Sequence, residues 1–248
     1  VRFSNSTGLP QFPDNNPKAN PRGLAVRFHL AERVHTDIIS HATDGFPTRT
    51  GDEFLEFLQA AAASAAGGPS PTPIEAFLGT HPAALAFVQT PKPSPSSFAR
   101  EQYYGVTAMQ FTNAAGVSRY GRYRIVPDAG VDHLDDAAFQ SKGPTFLFDE
   151  LKQRVEAGPV SFQIHAQLAG DGDIVDDATS HWPEDRSLVH LGGITLTGLA
   201  PDDAQQQKRI IFDPVPRVDG IEPSADPLIE VRAAVYLLSG RQRREAPE

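Results

Sequence analysis

Apolar and polar positions alternate along this chain in short runs, and clusters of Pro and Gly break the runs apart. Residues 23–30, Gly-Leu-Ala-Val-Arg-Phe-His-Leu, read as a strand, and after a turn Thr36 to His41 reads as its neighbour. The first residues, Val1-Arg2-Phe3-Ser4, alternate in the same way, and an opening on Val rather than Met implies that residues have been removed upstream. Gly8 to Pro21, rich in Pro and Asn, is a loop. Gly51 to Ala66 carries the clearest helical pattern: Asp52 can cap it, Phe54, Leu55, Leu58 and the alanines form an apolar face, and Gly67-Gly68-Pro69 ends it. Short helices at Pro73 to Leu78 and Ala83 to Val88 precede a Pro/Ser-rich surface loop, Pro91 to Ser97. Strands return at Tyr103 to Thr112 and Ser118 to Val126, joined by a turn over Asn113 to Gly116. Thr145 to Glu156 is an amphipathic helix stopped by Gly158-Pro159. Three more strands read at Val160 to Leu168, Gly193 to Thr197 and Lys208 to Phe212. A last helix starts at Asp226-Pro227 and runs through Tyr236. Strands fill the first two-thirds, helices come in inserted blocks, and no βαβ alternation occurs. The pattern therefore predicts one α+β domain over residues 1–248, built on an antiparallel sheet or barrel.

Composition narrows the field of functions. The chain has 248 residues, 22 Lys+Arg against 31 Asp+Glu and a net charge of -9, which disfavours nucleic acid or an anionic membrane as partner. Hydrophobic residues make up 40%, enough for a core, yet no apolar run approaches the roughly 20 residues of a membrane-spanning helix. A soluble protein is expected, with the compartment open between cytoplasm and periplasm. Cysteine is absent, which removes disulfides, thiolate nucleophiles, Cys-based zinc sites and iron–sulfur clusters.

The last helix holds the most informative arrangement. Arg232 and Tyr236 are four residues apart and share a helical face. A guanidinium against a phenol favours the phenolate, a hard ligand for ferric iron. The same pair also fits an ordinary surface packing contact. Arg241, Arg243 and Arg244 follow and suit carboxylates. His29, His35, His133, His165, His181 and His190 show no ligand spacing and read as structural or solvent-facing. The acidic run from Asp171 to Asp177 lacks the Gly and Glu placement of an EF-hand loop and reads as a solvated turn.

The segment from Phe212 to Arg243 resembles the haem-binding end of the heme catalase family. It carries Phe212-Asp213-Pro214, Gly220-Ile221-Glu222, Ser224, Asp226, and Arg232 followed by Tyr236, with Arg241 and Arg243 beyond. Val1 to Ser4 is similar to that family's VRFS strand, and Pro21-Arg22-Gly23-Leu24-Ala25-Val26-Arg27-Phe28 to its PRGxAVKF strand. Asp37-Ile38-Ile39, Phe46, Arg49, Phe54, and the D-x-T-x-x-W-P stretch at Asp177, Thr179, Trp182 and Pro183 continue the match.

The resemblance implies an eight-stranded antiparallel β-barrel with helical insertions and a buried haem b. Tyr236 would be the iron ligand, with Arg232 holding it as tyrosinate and Arg2 and Arg243 on the propionates. Phe46 and Phe54 would line the distal side, although Phe54 reads almost equally well as a helix-core residue. Ser4 would orient a distal histidine that the family places upstream of VRFS, in a segment this sequence does not include. The family's distal asparagine falls on His41, whose imidazole is expected to titrate near neutrality. The short catalase-related peroxidases fit this profile better than a full catalase.

The expected function is a peroxidase that reduces hydrogen peroxide or organic hydroperoxides with a small electron donor and has weak catalase activity. Ser4, His41 and Arg232 are the expected catalytic residues, and homo-oligomerisation is left open. The alternatives are a fatty-acid hydroperoxide isomerase or dehydratase, a haem-binding protein without turnover, and a lipocalin-like binding barrel.

Overall fold

In a computed structural model, residues 1–6, 12–65 and 67–246 are described. The predicted loop Gly8–Pro21 and the predicted end of the first helix at Ala66 lie partly outside these residues. Nine strands form one antiparallel sheet: β1 (Arg2–Ser4), β2 (Gly23–Ala31), β3 (Val34–His41), β4 (Tyr103–Tyr104), β5 (Met109–Thr112), β6 (Ser118–Pro127), β7 (Val160–Leu168), β8 (Leu188–Leu196) and β9 (Ile221–Pro223). Seven helices lie between or after them: α1 (Gly51–Ser64), α2 (Pro73–Thr80), α3 (Pro82–Gln89), α4 (Asp136–Gln140), α5 (Phe146–Ala157), α6 (Asp203–Arg209) and α7 (Leu228–Glu245).

The sheet is strongly curled. From β1 to β7 the hydrogen-bonded path takes five steps through β2, β3, β4 and β6, about 24 Å if it were flat. Yet the Phe3 ring lies 6.2 Å from the Phe162 ring of β7. Leu24, Val26, Ile38, Tyr123, Ile125, Phe162, Ile164 and Ile194, drawn from β2, β3 and β6 to β8, fill the concave side. In place of the expected eight-stranded barrel there is a nine-stranded curled sheet, whose path is not closed by hydrogen bonds among the described residues. β1 and β9 are only three residues long and offer few groups to close it. The predicted strand Tyr103–Thr112 breaks into β4 and β5 around Gly105, where a Cβ would come 3.1 Å from that of Tyr123.

Other local signals resolve differently from the sequence pattern. Thr50, not Asp52, caps α1: its hydroxyl accepts from the Glu53 N–H at 3.2 Å, and the Glu53 carboxylate accepts from the Thr50 N–H at 3.2 Å. Phe54 and Phe57 turn inward while Leu55 and Leu58 stay exposed, so the apolar face of α1 is rotated from its predicted position. The predicted surface loop Pro91–Ser97 is pinned instead. Ser94, Pro95 and Ser97 are buried, and the Ser94 carbonyl accepts from the Leu134 N–H at 2.9 Å. The predicted strand Lys208–Phe212 is the end of α6 followed by a loop. That loop is tied down where the Asp213 N–H donates to the Asp37 carboxylate at 2.8 Å and Arg27 pairs with Asp37 at 2.7 Å.

Candidate active site

Pairing register builds one wall of the site. Ser4 stands opposite Gly23, and Gly23 opposite His41; two residues along, Arg2 stands opposite Ala25, and Ala25 opposite Ile39. Cross-strand partners share a face of the sheet, so Arg2, Ser4 and His41 rise from one surface with only Gly23 and Ala25 between them. A Cβ at Gly23 would lie 2.5 Å from the Ser4 hydroxyl oxygen. The missing side chain keeps that surface low. It forms part of a cavity of about 700 Å³ that is also lined by Phe46, Phe54, Arg232 and Tyr236.

The helical side comes from α7. Its first turn is anchored by Asp226, which accepts from the Leu228 N–H at 2.9 Å, and Leu228 packs with Val106, Ala178, Phe46 and Tyr104. One turn on, Arg232 Nε and Nη2 both donate to the Tyr236 hydroxyl oxygen, at 3.3 and 3.2 Å. Two donors on one phenolic oxygen stabilise negative charge there. Phe46 is held by its N–H on the Ala178 carbonyl at 3.1 Å. The loop behind it is locked by Asp177, which accepts from the Thr179 N–H and hydroxyl, and by Arg122 beneath the Trp182 ring. The D-x-T-x-x-W-P stretch therefore acts by placing Phe46. The Phe46 and Phe54 rings meet at 4.8 Å, so Phe54 is a cavity wall rather than core.

Arg243 lies next door. It lines a second cavity of about 800 Å³ that shares Arg2, Ser4 and Tyr236 with the first. There it donates to Ser239 and to the Ile210 carbonyl, and its Nε is buried without a partner. Burial, and then the nearby charge of Arg243, lower the pKa of Arg2, while Tyr236 opposes the shift. Every site residue expected from the sequence thus falls on these two joined cavities.

His41 departs from expectation in its ionisation. Both ring nitrogens are buried and without a hydrogen-bond partner. Burial, and then the charges of Arg232 and Lys92, push its pKa down to about 3. The imidazole expected to titrate near neutrality is neutral there. Lys18 and Lys92, which the sequence pattern did not single out, also line the first cavity. Other candidates resolve plainly. His133 pairs with buried Glu101 at 3.1 Å, Asp173 of the acidic run pairs with Arg186 at 2.8 Å, and no metal-ligating cluster of acidic or His side chains occurs among the described residues.

A curled antiparallel sheet with an Arg–Tyr helix closing its side cavity is the architecture of the catalase fold. A solved fungal catalase superposes with a TM-score of 0.83 at 23% identity, over 98% of this chain and 51% of its own. Catalase A of Saccharomyces cerevisiae gives 0.82 at 23% identity, over 98% and 52%. The chain spans about half the length of these solved catalases. Among curated proteins, catalase-related peroxidases of Mycolicibacterium paratuberculosis and Synechococcus elongatus are each 34% identical over 98% of this chain, covering 77% and 72% of their own lengths. The catalase family profile matches residues 1–246, and the chain belongs to the catalase family. It is an oxidoreductase of that family, which is haem-dependent in general. No described helix is long and apolar enough to cross a membrane.

Proposed function

We propose that this chain acts as a single haem b peroxidase domain that reduces hydrogen peroxide or small organic hydroperoxides with an external electron donor and evolves oxygen only weakly. The observation that carries the reading is the paired donation of Arg232 to the Tyr236 hydroxyl on the wall of a cavity that also holds His41. The residues suit the cofactor. A volume of about 700 Å³ falls in the ordinary range for cofactor sites, Gly23 and Ala25 leave a low surface for a flat ring, and Arg2 and Arg243 offer cations for two carboxylates. Tyr236 would hold the iron, Arg2 and Arg243 the propionates, and Phe46 and Phe54 the apolar ring.

When bound, haem supplies the redox chemistry that splits the peroxide O–O bond. Overall, a hydroperoxide takes two electrons from the donor and two protons, and leaves as an alcohol and water. The protein's part is ligation, exclusion of water and placement of protons. Arg232 fixes the phenolic oxygen of Tyr236 with two donated hydrogen bonds. His41, neutral and with both ring nitrogens free, offers a peroxide one donor and one acceptor. Such a group can hold the peroxide and relay a proton between its two oxygens. Ser4, two residues along β1 from Arg2 and on the same face, would position a second distal group.

The test is Tyr236→Phe after reconstitution with haem. We expect loss of stable haem incorporation, or of the tyrosinate charge-transfer absorption. A variant with an unchanged spectrum and haem content sinks the assignment.

A further inference from the structure

The larger charge pattern of the first cavity is not used by the reading above. In a chain of net charge -9, this cavity is lined by Arg2, Lys18, Lys92 and Arg232 and by no Asp or Glu. None of the four makes an ion pair among the described residues. Arg232 is engaged with Tyr236 and Arg2 faces the cavity that holds Arg243, which leaves the two lysines unassigned. Lys92 is firmly placed. Its Nζ donates to the Phe87 carbonyl and, at 3.0 Å, to the Thr90 carbonyl, and it sits 4.3 Å from the centre of the Phe87 ring. Asn20 in turn donates to the Lys92 carbonyl at 2.7 Å. An ammonium has three protons, and two carbonyls leave one for a ligand. Beside it runs an apolar wall: Phe54 stacks with Phe57 at 6.2 Å, and Phe87 and Val88 continue the lining. Lys18 is exposed on the same cavity.

We propose that Lys92, assisted by Lys18, binds the carboxylate of a substrate whose apolar or aromatic body lies along Phe54, Phe57 and Phe87. The proposal rests on the peroxidase reading for the substrate's role and names its class: an organic anion with one carboxylate and an apolar body, serving either as hydroperoxide or as reducing donor. A cationic mouth without carboxylates gathers such anions and repels ammonium compounds. Burial already holds the Lys92 pKa below its ordinary value, and a carboxylate brought beside it would raise that pKa again.

The experiment compares octanoate, octanol and octylammonium by calorimetry on the haem-loaded protein, its Lys92→Gln variant and the Lys18→Gln/Lys92→Gln double variant. Octanoate should bind at least about tenfold more tightly than octanol, the worth of one charge-assisted hydrogen bond, and octylammonium more weakly than either. Lys92→Gln should remove most of the preference and the double variant all of it, with haem content retained. Equal binding of octanoate and octanol, or a preference that survives in the double variant, overturns the proposal. So does a double variant that loses haem, because the lysines would then serve the cofactor's own carboxylates. The substrate's role is read from kcat/KM. A carboxylate hydroperoxide is compared with its methyl ester, and an aromatic carboxylate donor with its amide, in wild type and Lys92→Gln. The arm in which the variant abolishes discrimination names the role. A chain that takes up no haem fails the peroxidase reading, whereas calorimetry on that same chain still decides the carboxylate preference.

Discussion

The buried imidazole of His41 makes the stability of this protein depend on pH in a direction that the structure fixes. Its folded-state pKa of about 3 lies below the ordinary value of 6.5, so the unfolded chain takes up this proton first as pH falls. The contribution is intact above about pH 6.5 and declines progressively toward pH 3. Each pH unit in that window is worth about 1.4 kcal/mol, so acidification to pH 5 should cost about 2 kcal/mol through this residue alone. With a urea dependence near 3 kcal/mol per molar, the unfolding midpoint should drop by about 0.7 M between pH 7.5 and pH 5. Asn cannot titrate, and His41→Asn should remove that share of the drop while leaving the contributions of other groups. The assay is urea unfolding of wild type and variant at both pH values. Equal drops in the two proteins would refute the assignment of a neutral, desolvated imidazole. The same ionisation predicts that wild-type turnover shows no inflection near pH 6.5 that His41→Asn abolishes.

Further outcomes follow from the same contacts. His41→Asn should raise oxygen evolution relative to oxidation of an aromatic donor, measured with an oxygen electrode and by donor absorbance; vigorous oxygen release from the unmodified protein would contradict this. Asp14→Ala should cost about 2–4 kcal/mol in chemical unfolding, because the buried carboxylate accepts from the Leu147 and Phe148 N–H groups of α5 and from Asn5; a change within 0.5 kcal/mol, about the scatter of neutral surface substitutions, would contradict it. Gly220→Ala should lower stability by about 1–3 kcal/mol, since Gly220 has φ +80 and a Cβ there would lie 2.8 Å from the Thr112 carbonyl oxygen beside the β5–β9 pairing; an unchanged melting temperature would show that the turn relaxes freely.

The sequence pattern carried β2, β3, β6 and β7, which are eight to ten residues long and rich in β-formers with buried positions, but it gave only the second half of β8, whose first residues are exposed. It failed where the determinant was not periodic. β9 is three residues, Ile221-Glu222-Pro223, too short to show any period and defined only by its pairing with β5. The Ile210-Ile211-Phe212 run looks like a strand, but Asp203 in the first turn and Lys208 and Arg209 in the last complement a helix dipole, and α6 forms just before it. The run is apolar because the segment covers other elements. Phe212 lies under the guanidinium groups of Arg2 and Arg27, and Ile211 fills the space that a Cβ at Gly240 would take. Pro91–Ser97 has a loop's composition yet is buried, since composition reports backbone preference and not what packs above it.

The site was legible to the extent that its geometry is local. Arg232 and Tyr236 meet through helical spacing, so their contact could be read from four residues of separation, while their roles came from the family resemblance. Ser4 and His41 are 37 positions apart and become neighbours only through the β1–β2–β3 register, with Gly23 as the partner of both. Their juxtaposition was available from family resemblance but not from any spacing. The two lysines carry no signature at all, because a Lys in a Pro-rich segment is ordinarily solvated, and only the fold brings Lys92 to the cavity that His41 also lines. Ionisation is the least legible property. Residue type sets an imidazole's intrinsic pKa, but its working value depends on which charges the fold collects around it and on whether water reaches it. Here the fold collects cations. The lysine that lowers the imidazole's proton affinity also lines the cavity where a carboxylate could bind, so an anionic ligand at Lys92 would partly restore that affinity while it is bound. On the proposed binding mode, Lys92 would couple substrate binding to the proton affinity of His41.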